Sequence, residues 1–123
     1  MRYTAKLAAM AASVAVSMAI TLAPAMAAED GAKDIIAKGK ELAYDRKLGN
    51  CLACHMMDDG VSPGDLGPPL VAMKARFPDK AKLRAQISDP EANNPNTMMP
   101  PFGKHKILTD EELDAVVEYV YTL

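Results

Sequence analysis

The sequence predicts an all-α fold, a small helical domain with long loops. Three observations predict it. Apolar residues recur at helical spacing near 33–44 and 109–120. No segment alternates apolar and polar residues as a half-buried strand would. The stretches 56–69 and 89–106 are crowded with Gly, Pro, Asn and Asp, which mark turns and irregular backbone.

The first segment is expected to be an address rather than part of the fold. Arg2 and Lys6 form a short positive region, an apolar run follows from Leu7 to about Leu22, and Pro24 precedes Ala25-Met26-Ala27. This is the pattern of a secretory signal peptide cut after a small-x-small site. The rival reading is a retained anchor, since an uncharged run of about 20 residues just spans a bilayer. The run is rich in Ala and Ser and ends in the cleavage pattern, so residues 1–27 are expected to be a cleaved signal peptide and 28–123 the domain. The expected location is the periplasm, with no membrane span after cleavage. Export also removes Arg2 and Lys6, leaving 12 of 14 basic residues against 16 acidic ones, a formal charge of −4. There is no basic stripe, which argues against a nucleic-acid partner.

Residues 28–34 are polar and are expected to fray. A first helix is predicted from about Lys33 to Tyr44, with Ile35, Ile36, Gly39, Leu42 and Ala43 close to one face. Gly39 within it costs about 1 kcal/mol relative to Ala, a cost that often reflects close approach of another helix. A short helix is predicted from Pro69 or Leu70 to Arg76. Another starts near Asp79 and carries Leu83 and Ile87; Asp89-Pro90 ends it, because the residue before Pro is driven out of helical geometry. The last helix has the clearest start. Thr109 and Glu112 form a capping box, Asp110 and Glu111 suit the positive end of the helix dipole, and Leu113, Val116, Val117 and Val120 line one face.

The domain holds two Phe and no Trp, and a chain this small buries little apolar surface without reinforcement. Its two cysteines suggest the reinforcement. Cys51-Leu52-Ala53-Cys54-His55 is the C-x-x-C-H signature of covalent haem attachment. The two thiols add across the two haem vinyl groups, and His55, next in line, supplies an imidazole nitrogen to the iron. A thioredoxin-like motif would need a βαβ context, which is absent. A zinc site would need four ligands where only Cys51, Cys54 and His55 cluster. One haem c is therefore the expected cofactor.

With this motif and Gly67-Pro68-x-Leu70 after it, the chain resembles the class I c-type cytochromes. The resemblance implies the class I cytochrome c fold, wrapped around one covalent haem. It also implies that the Pro68 carbonyl accepts the Nδ1–H of the ligand histidine and that Leu70 packs on the haem. Such a bond would fix the tautomer and orientation of His55. Gly39 and Tyr119 match the small and aromatic residues where first and last helices cross in that family.

The second axial ligand must come from the other side of the haem. The candidates are Met56, Met57, Met73, Met98, Met99 and His105. Met56 and Met57 adjoin His55 and cannot reach across the ring. Met73 lies on a predicted helix, where a Met usually fills core. Met98 and Met99 precede Pro100-Pro101, two prolines that stiffen the segment and extend the residue before them. The family's ligand Met directly precedes the Pro, which selects Met99, with Met98 and His105 as alternatives. His105 otherwise reads as an exposed loop residue, and Lys104-His105-Lys106 as a small positive patch for an acidic partner. The expected iron ligands are His55 and Met99, a pairing that raises the reduction potential relative to bis-His ligation.

The run from Asn94 to Thr109, with Gly49-Asn50-Cys51 and Val116-Val117-Glu118-Tyr119-Val120, is similar to the SoxX family, the monohaem subunits of the Sox thiosulfate-oxidising cytochromes. The resemblance implies a heterodimer with a SoxA-type cytochrome subunit. That complex oxidatively joins thiosulfate to a cysteine of the SoxYZ carrier, an L-cysteine S-thiosulfotransferase reaction. The catalytic haem belongs to the SoxA-type subunit, and the X-type haem passes electrons to a small soluble cytochrome. No acid–base pair or free nucleophile appears in residues 28–123, so this subunit is expected to carry electrons rather than catalyse. The few residues before Cys51 suggest no N-terminal arm for holding the partner. The alternative is a free-standing monohaem carrier of a respiratory or photosynthetic chain. A haem enzyme would need an open coordination site, which carbon monoxide binding would reveal.

Overall fold

The computed structural model describes residues 25–123. The expected signal peptide lies outside them, except for its last three residues, which begin the first helix. Four helices form: α1 (Ala25–Tyr44), α2 (Met73–Arg76), α3 (Lys80–Ser88) and α4 (Asp110–Val120). Short 3-10 turns occur at Cys51–Ala53 and Pro90–Ala92. No strand occurs among the described residues, and the fold is all-α.

The frame is the crossing of α1 on α4, with α3 packed against α4. Gly39 makes the crossing possible. A Cβ at this position would strike the Ala115 carbonyl and lie 2.9 Å from the Cβ of Tyr119. α1 contributes Leu42 and Ala43 to the core, while α4 contributes Leu113, Val116, Val117 and Val120. Full burial of each large side chain contributes about 1.5–3 kcal/mol. Leu83 and Ile87 of α3 join them, along with Met57, Met73, Phe102 and Leu108 from outside the three long helices.

Local signals set the helix ends. Thr109 Oγ1 accepts from Glu112 N at 3.2 Å, and Thr109 N donates to the Glu112 carboxylate at 2.9 Å, so both halves of the capping box are made. Asp79 caps α3 by accepting from Ala81 N at 2.9 Å, and α3 ends before Pro90 as expected. Two expectations are corrected. α1 begins at Ala25, because residues 25–34 carry four Ala together with Met26, Glu29 and Lys33, all strong helix formers. α2 begins at Met73, because Ala72 adopts a left-handed φ of 52° that no right-handed helix continues through. Leu70 N is also committed elsewhere, donating to Met56 O at 2.8 Å.

Candidate functional site

Cys51 begins a tight turn. Cys54 N and His55 N both donate to Cys51 O, at 3.2 and 2.9 Å, and the wound chain brings Cys51, Cys54 and His55 onto the wall of one cavity. The two thiols are not joined to each other. Burial pushes the Cys51 thiol up to about 11, so it stays protonated at neutral pH.

The loop after the motif returns to run beside it. Gly64 N, Gly67 N and Leu70 N donate in turn to Leu52 O, Cys54 O and Met56 O, at 2.9, 2.8 and 2.8 Å. This rising register carries the Pro68 carbonyl to 2.7 Å from His55 Nδ1. A carbonyl can only accept, so Nδ1 holds the proton and Nε2 keeps a lone pair free to bind a metal. Gly67 lies against the imidazole: an added Cβ would meet the ring at Nδ1 and Nε2, at 2.5 and 2.8 Å. Leu70 is half-buried and lines the same cavity.

Another wall comes from the segment before Pro100-Pro101. Thr97 Oγ1 accepts from Met99 N at 3.2 Å. Gly103 N and Lys104 N both donate to Ser88 O at the end of α3, at 3.1 and 3.0 Å, and Phe102 is buried. Met99 is half-buried against the core, whereas Met98 is 78% exposed; both border the cavity. Met73 also lines it but is buried at 2% exposure, and its sulfur lies 3.4 Å from Arg76 Nη1. Met57 is buried outside the cavity lining and Met56 is half-exposed. His105 is exposed and does not line the cavity. Nor do its neighbours make a free positive patch. Lys104 pairs with Asp89 and Glu91 at 3.2 and 3.0 Å, and Lys106 with Asp110 at 3.5 Å.

The cavity measures about 680 Å³, inside the range of roughly 300–1,000 Å³ typical of small-molecule and cofactor sites. Its walls include the core side chains Leu83, Ile87, Phe102, Val116 and Val120. These residues belong to the buried core cluster and also line the cavity, so an apolar group held there would pack directly on the core. The reactive lining suits haem c: two thiols for attachment, one imidazole with a free Nε2, and the thioethers of Met73, Met98 and Met99, of which Met99 is neither mostly exposed nor engaged by Arg76. Among the described residues, no three His, Cys, Asp or Glu side chains converge as a cage for a bare ion. The lining therefore fits haem.

The general family model for cytochrome c matches residues 36–123. The chain belongs to the cytochrome c family. Membership implies covalent haem c and marks the chain as an electron-transfer haem protein. A relative from Aquifex aeolicus (strain VF5), described as an uncharacterized lipoprotein, is 34% identical over 76 residues, covering 61% of this chain. The match covers 37% of that relative, so the chain spans little more than a third of its length.

Among the cavity residues that sequence reasoning missed are its two arginines, Arg46 and Arg76. Arg76 Nη1 also donates to Pro69 O at 2.7 Å, bracing the loop next to Pro68. No carboxylate lines the cavity. Neither arginine sits in a local pattern that distinguishes it from a surface charge.

Proposed function

We propose that this chain is a periplasmic monohaem electron-transfer subunit of the SoxX type, with His55 and Met99 as the axial iron ligands. The observation that carries the ligand assignment is that the His55 imidazole and the half-buried Met99 border one cavity while His105 does not. Met98 is mostly solvent-exposed and the Met73 sulfur is already engaged by Arg76, which favours Met99.

In this reading Cys51 and Cys54 tether the haem through thioether bonds, so the cofactor is not lost from a small core. Pro68 O holds the proton on His55 Nδ1, which fixes the ring and raises the basicity of Nε2. Gly67 gives the imidazole room, and Leu70 and the core side chains exclude water. When bound, haem supplies one-electron redox chemistry that no side chain here offers. His55 and Met99 together would hold the iron from the protein, which supports electron relay over activation of a small molecule.

The partner assignment rests on the likeness of residues 94–109 to SoxX. In that role the chain pairs with a SoxA-type cytochrome, takes electrons released as thiosulfate is joined to SoxYZ, and passes them to a small soluble cytochrome. Leu66 and Met98 border the cavity and are 67% and 78% exposed; apolar side chains at this edge suit a lasting protein interface. Purification from native periplasm tests the assignment. A second haem protein co-purifying in a stable complex supports it, and a single monomeric species with no stable partner overturns it.

A further inference from the structure

The turn after the haem motif is held by a polar cluster from three separate parts of the chain. Lys40 Nζ of α1 lies 2.7 Å from Asp58 Oδ2 and 2.9 Å from Asp59 Oδ1. Tyr119 OH of α4 donates to Asp58 Oδ2 at 3.3 Å, and Tyr44 OH of α1 donates to Asp59 Oδ1 at 3.1 Å. Tyr44 OH also reaches Met57 O at 3.3 Å. The turn is tight: Asp58 takes a left-handed φ of 41°, a conformation that Asp adopts more readily than most L residues. The Met57 side chain is plugged into the core beside it. None of these cluster residues lines the cavity.

The position of this turn gives the cluster its consequence. Residues 57–63 form the crossover between the motif segment 52–56 and the returning segment 64–70. The three backbone bonds from Gly64, Gly67 and Leu70 to Leu52, Cys54 and Met56 fix the register of the two segments. That register decides whether Pro68 O meets His55 Nδ1. We propose that Lys40, through Asp58 and Asp59, is a positioning residue for His55: it clamps the crossover to the α1–α4 crossing, and the clamped crossover holds the Pro68 carbonyl on Nδ1. The inference rests on the reading of His55 as an iron ligand. Lys40 acts through the backbone and does not touch the cofactor. It couples the rigid helix crossing to the ligand side of the site, so that small shifts of α1 reach the imidazole.

The test uses the haem-loaded protein in its reduced state and three variants: Lys40→Met, Lys40→Arg and Asp59→Asn. Exchange of the His55 Nδ1–H with solvent is followed by NMR beside exchange of the α4 amides, which report global opening. Lys40→Met is expected to speed Nδ1–H exchange about tenfold more than it speeds the α4 amides. The reduction potential should rise, because a weaker Nδ1–H···O bond lowers imidazole basicity and disfavours oxidised iron. Lys40→Arg should restore both values, and Asp59→Asn, which keeps the Asp58 contact, should give a smaller change in the same direction. If Nδ1–H exchange changes only in proportion to the α4 amides in Lys40→Met, or in Asp59→Asn should Lys40→Met not fold, Lys40 is merely structural and the proposal is overturned. Failure of the ligand reading shows separately: the wild-type His55 resonances would then lack the large haem-induced shifts of an axial imidazole.

Discussion

The carbonyl oxygen of Pro68 lies 2.7 Å from Nδ1 of His55, and Gly67 lies against the same imidazole ring. One residue thus fixes the proton on the ring and its neighbour leaves the ring room to sit. The pair makes the ligand side of the site a property of backbone register, since Gly67 N and Leu70 N on either side are bonded to Cys54 O and Met56 O.

Gly67→Ala should therefore damage the site. Its Cβ would sit 2.5 Å from His55 Nδ1, so either the ring or the loop must move. The expected cost is about 1–3 kcal/mol of overpacking, together with weakening of the Pro68 bond. Denaturant unfolding of the haem-loaded protein checks the stability, and its visible spectrum checks the ligation. Wild-type values for both would contradict the packing seen here.

Gly39→Ala sets two effects against each other. Replacing Gly by Ala in a helix gains about 1 kcal/mol of propensity. Against it stands a Cβ pressed on the Ala115 carbonyl, with Tyr119 2.9 Å away. Backbone of a buried helix cannot yield as a flexible side-chain tip can, so overpacking of about 1–3 kcal/mol or more should win. The variant is expected to unfold at lower denaturant concentration than wild type.

The two adjacent methionines should separate cleanly. The oxidised wild-type protein is expected to show the weak far-red band of sulfur bound to iron. Met99→His should abolish it and lower the reduction potential. Met98→Leu should leave the band in place, because Met98 is solvent-exposed. Loss of the band in Met98→Leu with retention in Met99→His would reverse the assignment.

The Lys40 clamp should also leave a pH signature. Hydrogen bonding to Asp58 and then Asp59 raises the Lys40 ammonium above its ordinary value, and the Lys40 bond holds the Asp59 carboxyl below its own. The raised Lys40 contributes stability that is complete below the unfolded value of about 10.4 and is lost as pH rises through the folded one. The depressed Asp59 contributes stability present above about 3.9 and lost as pH falls through its folded value. The melting temperatures of wild type and Lys40→Met should differ most between about pH 5 and 10, and converge as pH falls below about 4 or rises well above 10. Parallel curves across the whole range would show that the clamp carries no charge-dependent stability.

Much of the fold was legible where the signal is local. The Thr109–Glu112 box, the Asp79 cap and the stop at Asp89-Pro90 each depend on neighbours within a few residues, and each forms as read. The start of α2 was not legible, because it depends on the left-handed Ala72 and on Leu70 N bonding to Met56 O, a partner fixed only by the tertiary path. The same division runs through the site. Cys51, Cys54 and His55 are contiguous and could be placed together from spacing alone. Asp58-Asp59-Gly60 read as an ordinary turn, since Lys40 and Tyr119 lie 18 and 61 positions from Asp58. The spacing of Lys40 and Tyr44 on one face of α1 was the only hint of that cluster, and it carries no indication of what they meet.

The central claim is that Cys51 and Cys54 hold one haem covalently. Intact mass of the haem-loaded protein under denaturing conditions tests it. The account predicts a chain heavier by one haem that survives denaturation, with attachment impaired in Cys51→Ala and Cys54→Ala and absent in the double variant. A wild-type chain that leaves its cofactor behind on denaturation, or carries a Cys51–Cys54 disulfide in its place, would contradict it.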